Sequence, residues 1–282
     1  MLQEDDMLDN IKKFSESQFK ESLIAKNPNL VQLMPFFENM RLDRVHTCWC
    51  DGDLEPWLPE FICYDQCKIC GSKIASYRLT SESSQAFYSR LYWTLYQELC
   101  NCPSIEKRYE SDMLDRIPVY LQWIQGVIKP PARVLEIGCG NGRLLYELKQ
   151  LGYTCEGIEM DPSVTGWVTE RTGVLVHTGS FFELSLPKYD IILAIDLVEH
   201  LSDQYGFIQK ILDCLTRRGR LIAHVPIIDK DEDAMAQSHL FNPLSHVVMH
   251  TRHSFEKLLS RYTLGLEPIG DLFGIPAYSI FS

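Results

Sequence analysis

The sequence predicts an α/β fold on a largely parallel sheet, preceded by a small helical and cysteine-rich region, and three observations carry that prediction. From residue 133 onward, apolar runs of strand length alternate with helical patterns. In the stretch 133–161, RVLEIGCGNGRLLYELKQLGYTCEGIEMD, the apolar residues Val134, Leu135 and Ile137 run into Gly138, Gly140 and Gly142, and Leu144, Leu145 and Leu148 follow at helical spacing. A second strand over 153–158 then ends on Glu159, which completes a β-α-β unit with an acidic residue at the tip of its second strand. Such a unit binds a nucleoside.

Ahead of that unit, residues 1–45 read as a helical arm. Met7, Ile11, Phe14, Phe19 and Leu23 recur at helical intervals among charges, and a second apolar group, Leu30 to Phe37, follows the break at Asn27, Pro28 and Asn29.

Residues 46–80 form a cysteine-rich segment, with Cys48-x-Cys50, sixteen residues, then Cys67-x-x-Cys70. Two short-spaced thiolate pairs brought together by a loop supply four tetrahedral ligands for Zn²⁺, and four protein ligands leave no water to activate, so the expected metal is structural. Cys63 and His46 are alternative ligands for the first pair, and reduced, unmetallated cysteines are the plain alternative.

Residues 81–130 form a helical linker or cap, rich in aromatics. Phe87, Tyr88, Tyr92, Trp93 and Tyr96 read first as core and second as the lining of a substrate entrance. Pro130 and Pro131 end this region, and 131–282 is the α/β domain. Within it, 174–177 is a third strand leading to Gly179-Ser180-Phe181. The run 189–195 (YDIILAI) is a fourth strand, and 219–225 a fifth, preceded by a helix over 203–215. A helix around 255–259 and two strands, 264–269 and 276–281, close the chain as an antiparallel edge.

Composition bounds the function classes. With 282 residues, 45% of them hydrophobic, the chain can hold one α/β domain and a smaller appendage. No apolar run approaches a membrane span, and the acidic start MLQEDDMLDN is unlike a signal peptide, so a soluble cytoplasmic protein with no membrane partner is expected. The net charge of −11 disfavours nucleic acid as a partner. Five of the ten cysteines fall between 48 and 70, whereas Cys139, Cys155 and Cys214 read as small core residues.

Glycine spacing narrows the nucleoside. A dinucleotide fingerprint counted from Gly138 needs glycine at 143, where Arg143 stands. The pattern Glu136-x-Gly138-x-Gly140-x-Gly142 instead resembles the first motif of the class I S-adenosylmethionine (SAM)-dependent methyltransferases. The stretch 189–201, YDIILAIDLVEHL, resembles that family's fourth-strand motif, and RRGRLIAHVP its fifth-strand motif. The resemblance implies a Rossmann-like seven-stranded sheet and a SAM site made by Glu136, Gly138, Gly140, Gly142, Glu159, Met160, Ser180, Phe181 and Asp196, with Glu159 on the ribose hydroxyls. Ser180 departs from the family, where an aspartate is frequent. The cysteine-rich segment followed by aromatic helices is similar to bacterial methyltransferases acting on sugars or secondary metabolites.

The activity so implied is methylation of a small-molecule acceptor, metabolite or sugar, at a hydroxyl oxygen by in-line displacement. The alternatives are an inactive SAM-binding module and an NAD-dependent oxidoreductase. Ligands bind outside the carboxyl ends of parallel strands, which makes His200, after the fourth strand, and His246, after the fifth, the candidate bases. His224, inside its strand, reads as structural. Asp196-x-x-Glu199-His200 admits two readings, a helix N-cap with a glutamate three residues on, which is preferred, or oxygen and nitrogen ligands for a divalent ion. Oligomeric state is left open.

Overall fold

The computed structural model of the protein describes residues 15–282, so Met7, Ile11 and Phe14 lie outside the described residues. The chain forms two compact units, neither continuous in sequence. One comprises residues up to Ser84 with Glu199–Ser202 and Ile227–Lys257, and the other comprises Gln85–Val198, Asp203–Pro226 and Leu258–Ser282.

The larger unit is a seven-stranded sheet. Its strands are β1 (Arg133–Ile137), β2 (Thr154–Glu159), β3 (Leu175–Thr178), β4 (Tyr189–Ile195), β5 (Leu215–His224), β6 (Gly265–Leu272) and β7 (Ile275–Phe281). They lie in the order β6-β7-β5-β4-β1-β2-β3. The five strands β1 to β5 pair in parallel, while β7 runs antiparallel to both β5 and β6. The expected hairpin is therefore present, with β6 at the edge. Central strands buried on both faces need apolar side chains throughout, and Ile191, Ile192, Leu193 and Ala194 of β4 are fully buried. The helix Arg116–Val127 contributes Ile117, Tyr120, Trp123 and Ile124 to a core with Val134, Leu144, Leu148, Leu193 and Ile222. From β1 the chain winds outward through β2 and β3, then returns to β4 on the other side of β1. That reversal is a topological switch point, where the loops after β1 and β4 diverge and leave a crevice.

The smaller unit begins with the helix Glu16–Lys26, whose first turn is closed reciprocally: Ser15 Oγ accepts from the Gln18 amide at 3.2 Å, and the Ser15 amide donates to Gln18 Oε1 at 2.8 Å. Phe19 and Leu23 are buried, and the chain turns at Asn27 into a short 3₁₀ segment, Pro28–Leu33. A four-stranded antiparallel sheet follows, ordered Val248–Met249, Lys73–Ala75, Tyr64–Cys67, Leu54–Pro56. Its core is small, with Val45, Ile74 and Val248 packed beside Cys48, Cys67 and Cys70. Among the described residues, no helix is long and apolar enough to cross a membrane.

Candidate functional site

Backbone builds the first site. After β1 the chain turns on Gly138, Gly140 and Gly142, all at positive φ, and enters the helix Arg143–Gln150. The Gly138 and Cys139 amides donate to the Ile158 carbonyl at 2.8 and 3.0 Å, which fastens the loop to the end of β2. Two glycines are compelled. At Gly140 a Cβ would lie 3.0 Å from Trp93 Cζ2, and at Gly142 it would lie 2.2 Å from Val168 Cγ1, so the third glycine of the motif serves packing as well as the turn. Glu159 closes the arrangement: its carboxylate accepts from the Gly140 amide at 3.2 Å, from Met160 at 2.7 Å and from Asp161 at 3.4 Å.

Two acidic side chains are buried at this loop. Glu136 and Glu159 are both buried, and Glu136 Oε2 has no hydrogen-bond partner. Burial, reinforced by the neighbouring Glu159 charge, pushes the Glu136 carboxyl up to about 8. Burial also raises Glu159, against the three amides that favour its charged form. Arg143, which stands where a dinucleotide loop has glycine, is held by Glu147 at 2.8–2.9 Å. Two buried acidic side chains thus lie beside a loop whose arginine is already paired, an arrangement that opposes a pyrophosphate.

Asp196 follows β4 directly, at φ +49°. Its carboxylate binds Arg116 Nη1 at 3.1 Å and His224 Nδ1 at 2.6 Å, while His224 Nε2 lies 3.1 Å from the Ile275 carbonyl. His224 is thus held at both ring nitrogens. A short 3₁₀ turn, Val198–His200, follows it, and the next helix starts at Gln204, capped by Asp203, which accepts from the Gly206 amide at 2.8 Å. Ser180 Oγ accepts from the Phe182 amide at 3.3 Å, and Phe181 is buried against Phe207.

In the smaller unit the four predicted cysteines come together. The Sγ atoms of Cys48 and Cys70, and of Cys50 and Cys67, are each 3.6 Å apart, and all four lie within 4.8 Å of one another. A tetrahedral zinc with Zn–S of about 2.3 Å sets its sulfurs about 3.8 Å apart, so the donor set fits that ion. The Ile69 and Cys70 amides point at Cys67 Sγ at 3.4 and 3.5 Å, and a Cβ at Gly52 would fall 2.6 Å from that sulfur. The hydrogen bond between Cys48 and Cys70 holds the Cys70 thiol down and raises that of Cys48. Neither Cys63 nor His46 belongs to the cluster; Cys63 is pushed up to about 11, chiefly by burial.

A second group is formed by Glu199, His200 and His246, whose donor atoms also lie within 4.8 Å of one another. The two imidazoles meet edge to face, 4.7 Å between centroids. His246 Nδ1 lies 2.6 Å from the Leu240 carbonyl and donates to it, which puts the ring's lone pair on Nε2. The two base candidates are therefore brought together, and the carboxylate beside them is Glu199. Asp196, grouped with them by spacing, has Arg116 and His224 as its partners.

Sequence reasoning missed Arg116, Asp112 and the placement of Trp93. Arg116 precedes Asp196 by 80 residues, a separation no local pattern reports. Asp112 orients the glycine loop through Asn141 Nδ2 at 2.8 Å. Trp93, on a single π turn, Tyr92–Tyr96, packs on Gly140; aromatic spacing pointed to the helix but not to the loop.

A sheet of this order with a glycine loop and an acidic β2 tip defines a class I, Rossmann-like nucleoside-binding protein. Comparison with known proteins agrees and goes further. The family model described as a methyltransferase domain matches residues 105–267, more than half of the chain. The chain belongs to this family, the class I SAM-dependent methyltransferases. It is 32% identical to norajmaline N-methyltransferase of Rauvolfia serpentina over 95 residues, 30% of this chain and 32% of that protein. It is 30% identical to a ubiquinone biosynthesis O-methyltransferase of Azorhizobium caulinodans over 97 residues, 32% of this chain and 38% of that one. The chain spans about a third to two-fifths of the length of the curated relatives it matches. Among solved structures, magnesium protoporphyrin IX methyltransferase from Synechocystis PCC 6803, with bound SAH, is similar with a TM-score of 0.54 at 14% identity, covering 72% of this chain and 100% of that chain. An O-methyltransferase-like structure from Nostoc punctiforme PCC 73102 gives 0.51 at 17% identity, covering 63% and 60%. These two likenesses show the fold.

Proposed function

We propose that the chain transfers the methyl group of SAM to a hydroxyl oxygen of a small-molecule acceptor, a metabolite or sugar, and that Cys48, Cys50, Cys67 and Cys70 hold a structural zinc ion. The observation that carries the first part is the seating of Glu159 against the Gly140 amide, with the orphaned Glu136 carboxylate buried beside it. Bound there, SAM supplies an electrophilic methyl on a positively charged sulfur. Glu159 would hold the ribose hydroxyls, with Met160 following it. The backbone of Gly138, Gly140 and Gly142, at the start of the helix Arg143–Gln150, would receive the amino-acid end. Ser180 and Phe181 would flank the adenine, the serine standing where an aspartate is frequent. Glu136 would answer the ligand's positive charge. Asp196, tied to Arg116 and His224, would contact the ligand at the carboxyl end of β4.

Oxygen is preferred over nitrogen as the acceptor atom because a hydroxyl must lose its proton for transfer, and the Glu199, His200 and His246 cluster is the group suited to take charge of that proton. The two curated relatives named above include one N- and one O-methyltransferase. The donor reading is tested by thermal denaturation. SAM should raise the melting temperature, NAD should not, and Glu159→Ala should abolish the SAM effect. A chain whose melting temperature ignores SAM overturns the reading.

A further inference from the structure

We infer that Arg108, held on the Trp93 ring at the glycine loop, binds the α-carboxylate of the methyl donor and so selects a nucleoside that carries an amino-acid end. This rests on the proposed SAM site and names the side chain that meets the donor's zwitterionic end. That end bears an ammonium and a carboxylate, and the two acidic side chains buried at the loop, Glu136 and Glu159, suit the first and not the second. A carboxylate placed there calls for a cation. Other arginines around the loop are already engaged: Arg143 with Glu147 at 2.8 Å, Arg171 with Glu110 at 2.7 Å and Arg116 with Asp196 at 3.1 Å. The half-buried Arg108 places its guanidinium over the Trp93 ring, 5.3 Å from the centroid, and has no hydrogen-bond or ion-pair partner for it among the described residues. Stacking on an aromatic ring leaves the edge of the guanidinium, with its fork of N–H donors, free to meet a carboxylate.

Two independent contacts bring Arg108 to the loop. Trp93 comes from the π turn Tyr92–Tyr96, and its Cζ2 lies 3.0 Å from where a Cβ on Gly140 would stand, so the indole fills the room that the glycine leaves. Asp112 stands one helical turn after Arg108, at the end of the helix Ile105–Ser111, and accepts from Asn141 Nδ2 at 2.8 Å. Asn141 Oδ1 in turn accepts from the Arg143 amide at 2.9 Å. Residues four apart share a helix face, so the face that carries Asp112 to the loop carries Arg108 as well. The intervening Tyr109 is buried, with the Arg143 and Arg171 guanidinium groups 4.7 and 4.4 Å from its ring centroid. All of these residues belong to the larger unit. The helix is thus pinned beside the loop while the charge of Arg108 stays uncompensated.

The test needs neither acceptor nor turnover. Decarboxylated SAM differs from SAM only in lacking the α-carboxylate, so the pair of ligands isolates the contact. Calorimetric titration of the full chain should show the wild type binding SAM about 10-fold or more tighter than decarboxylated SAM. With the acidic side chains alone, the more cationic decarboxylated ligand would bind at least as well. Arg108→Met, which keeps an apolar chain on the indole, should lose most of the preference by weakening SAM and not decarboxylated SAM. Arg108→Gln should do the same, and decides the matter if Arg108→Met fails to fold. Equal binding of the two ligands by the wild type overturns the assignment and leaves the methyl-donor site standing. An unchanged preference in the neutral variants also overturns it, as does a loss shared equally by both ligands, which would make Arg108 a packing residue. A wild type that binds neither ligand counts against the donor reading itself and removes this inference with it.

Discussion

The cysteine cluster of the smaller unit and the glycine loop of the larger one are both candidate ligand sites, yet they are built from opposite materials. The cluster converges four side chains beside a small apolar group that includes Val45, Ile74 and Val248. The loop offers backbone amides and two buried acidic side chains on a sheet whose central strand is buried from Ile191 to Ala194. Where apolar burial is scarce, a metal's bonds can do the work of a core. Where it is plentiful, the backbone can be held in left-handed conformations that leave room for a ligand. The cluster should therefore fail through loss of its ion, and the loop through loss of space or charge.

The largest expected effect follows from the first half of that contrast. Cys67→Ser should remove zinc and lower the melting temperature by on the order of 10 °C or more, because metal binding in such a site is folding free energy. Elemental analysis and calorimetry check this. A variant that keeps both its zinc and its melting temperature removes the ligand set and, with it, the contrast.

The second half predicts a smaller loss from a single methyl group. Gly142→Ala meets Val168 at 2.2 Å and forces alanine to φ +69°, so it should destabilise the fold by about 2–4 kcal/mol in denaturant titration. Metal content should be untouched.

The smallest effect is one of pH, and its sign sharpens the claim that the loop awaits a cation. Because the folded Glu136 carboxyl is raised to about 8, mainly by burial and then by Glu159, the ligand-free fold binds this proton more tightly than the unfolded chain does. Its contribution to stability is complete below the ordinary carboxylate range and is lost as pH rises through about 8. SAM affinity should move the other way, because a cationic ligand favours the ionised carboxylate. Calorimetric titration from about pH 6.5 to about pH 9 should show tighter binding at the upper end. Glu136→Gln should flatten this dependence; an unchanged slope in that variant would separate Glu136 from the ligand.

Much of this was legible in the residues. The fourth strand was readable because 189–195 is wholly apolar from Ile191 onward, and Tyr189–Ile195 is the strand found. The glycine loop and Glu159 were readable because their spacing is local. The long-range partners of Asp196 were not readable, since nothing in its neighbours announces Arg116 from an earlier helix or His224 from the next strand. The helix Arg116–Val127 read as a connector, yet its Trp123 and Ile124 belong to the core of the sheet.

What the sequence determined by itself was the set of local patterns: the strand and helix periods, the glycine interval, the two cysteine pairs. Each needs only neighbouring residues, whose geometry the backbone fixes within a turn or a strand. Tertiary structure alone decided which distant side chains share a site. It placed Cys48 against Cys70 and Cys50 against Cys67, brought Trp93 onto Gly140, and added His246 to Glu199 and His200. Those partnerships depend on chain crossings that bury apolar surface elsewhere, so no spacing along the chain records them.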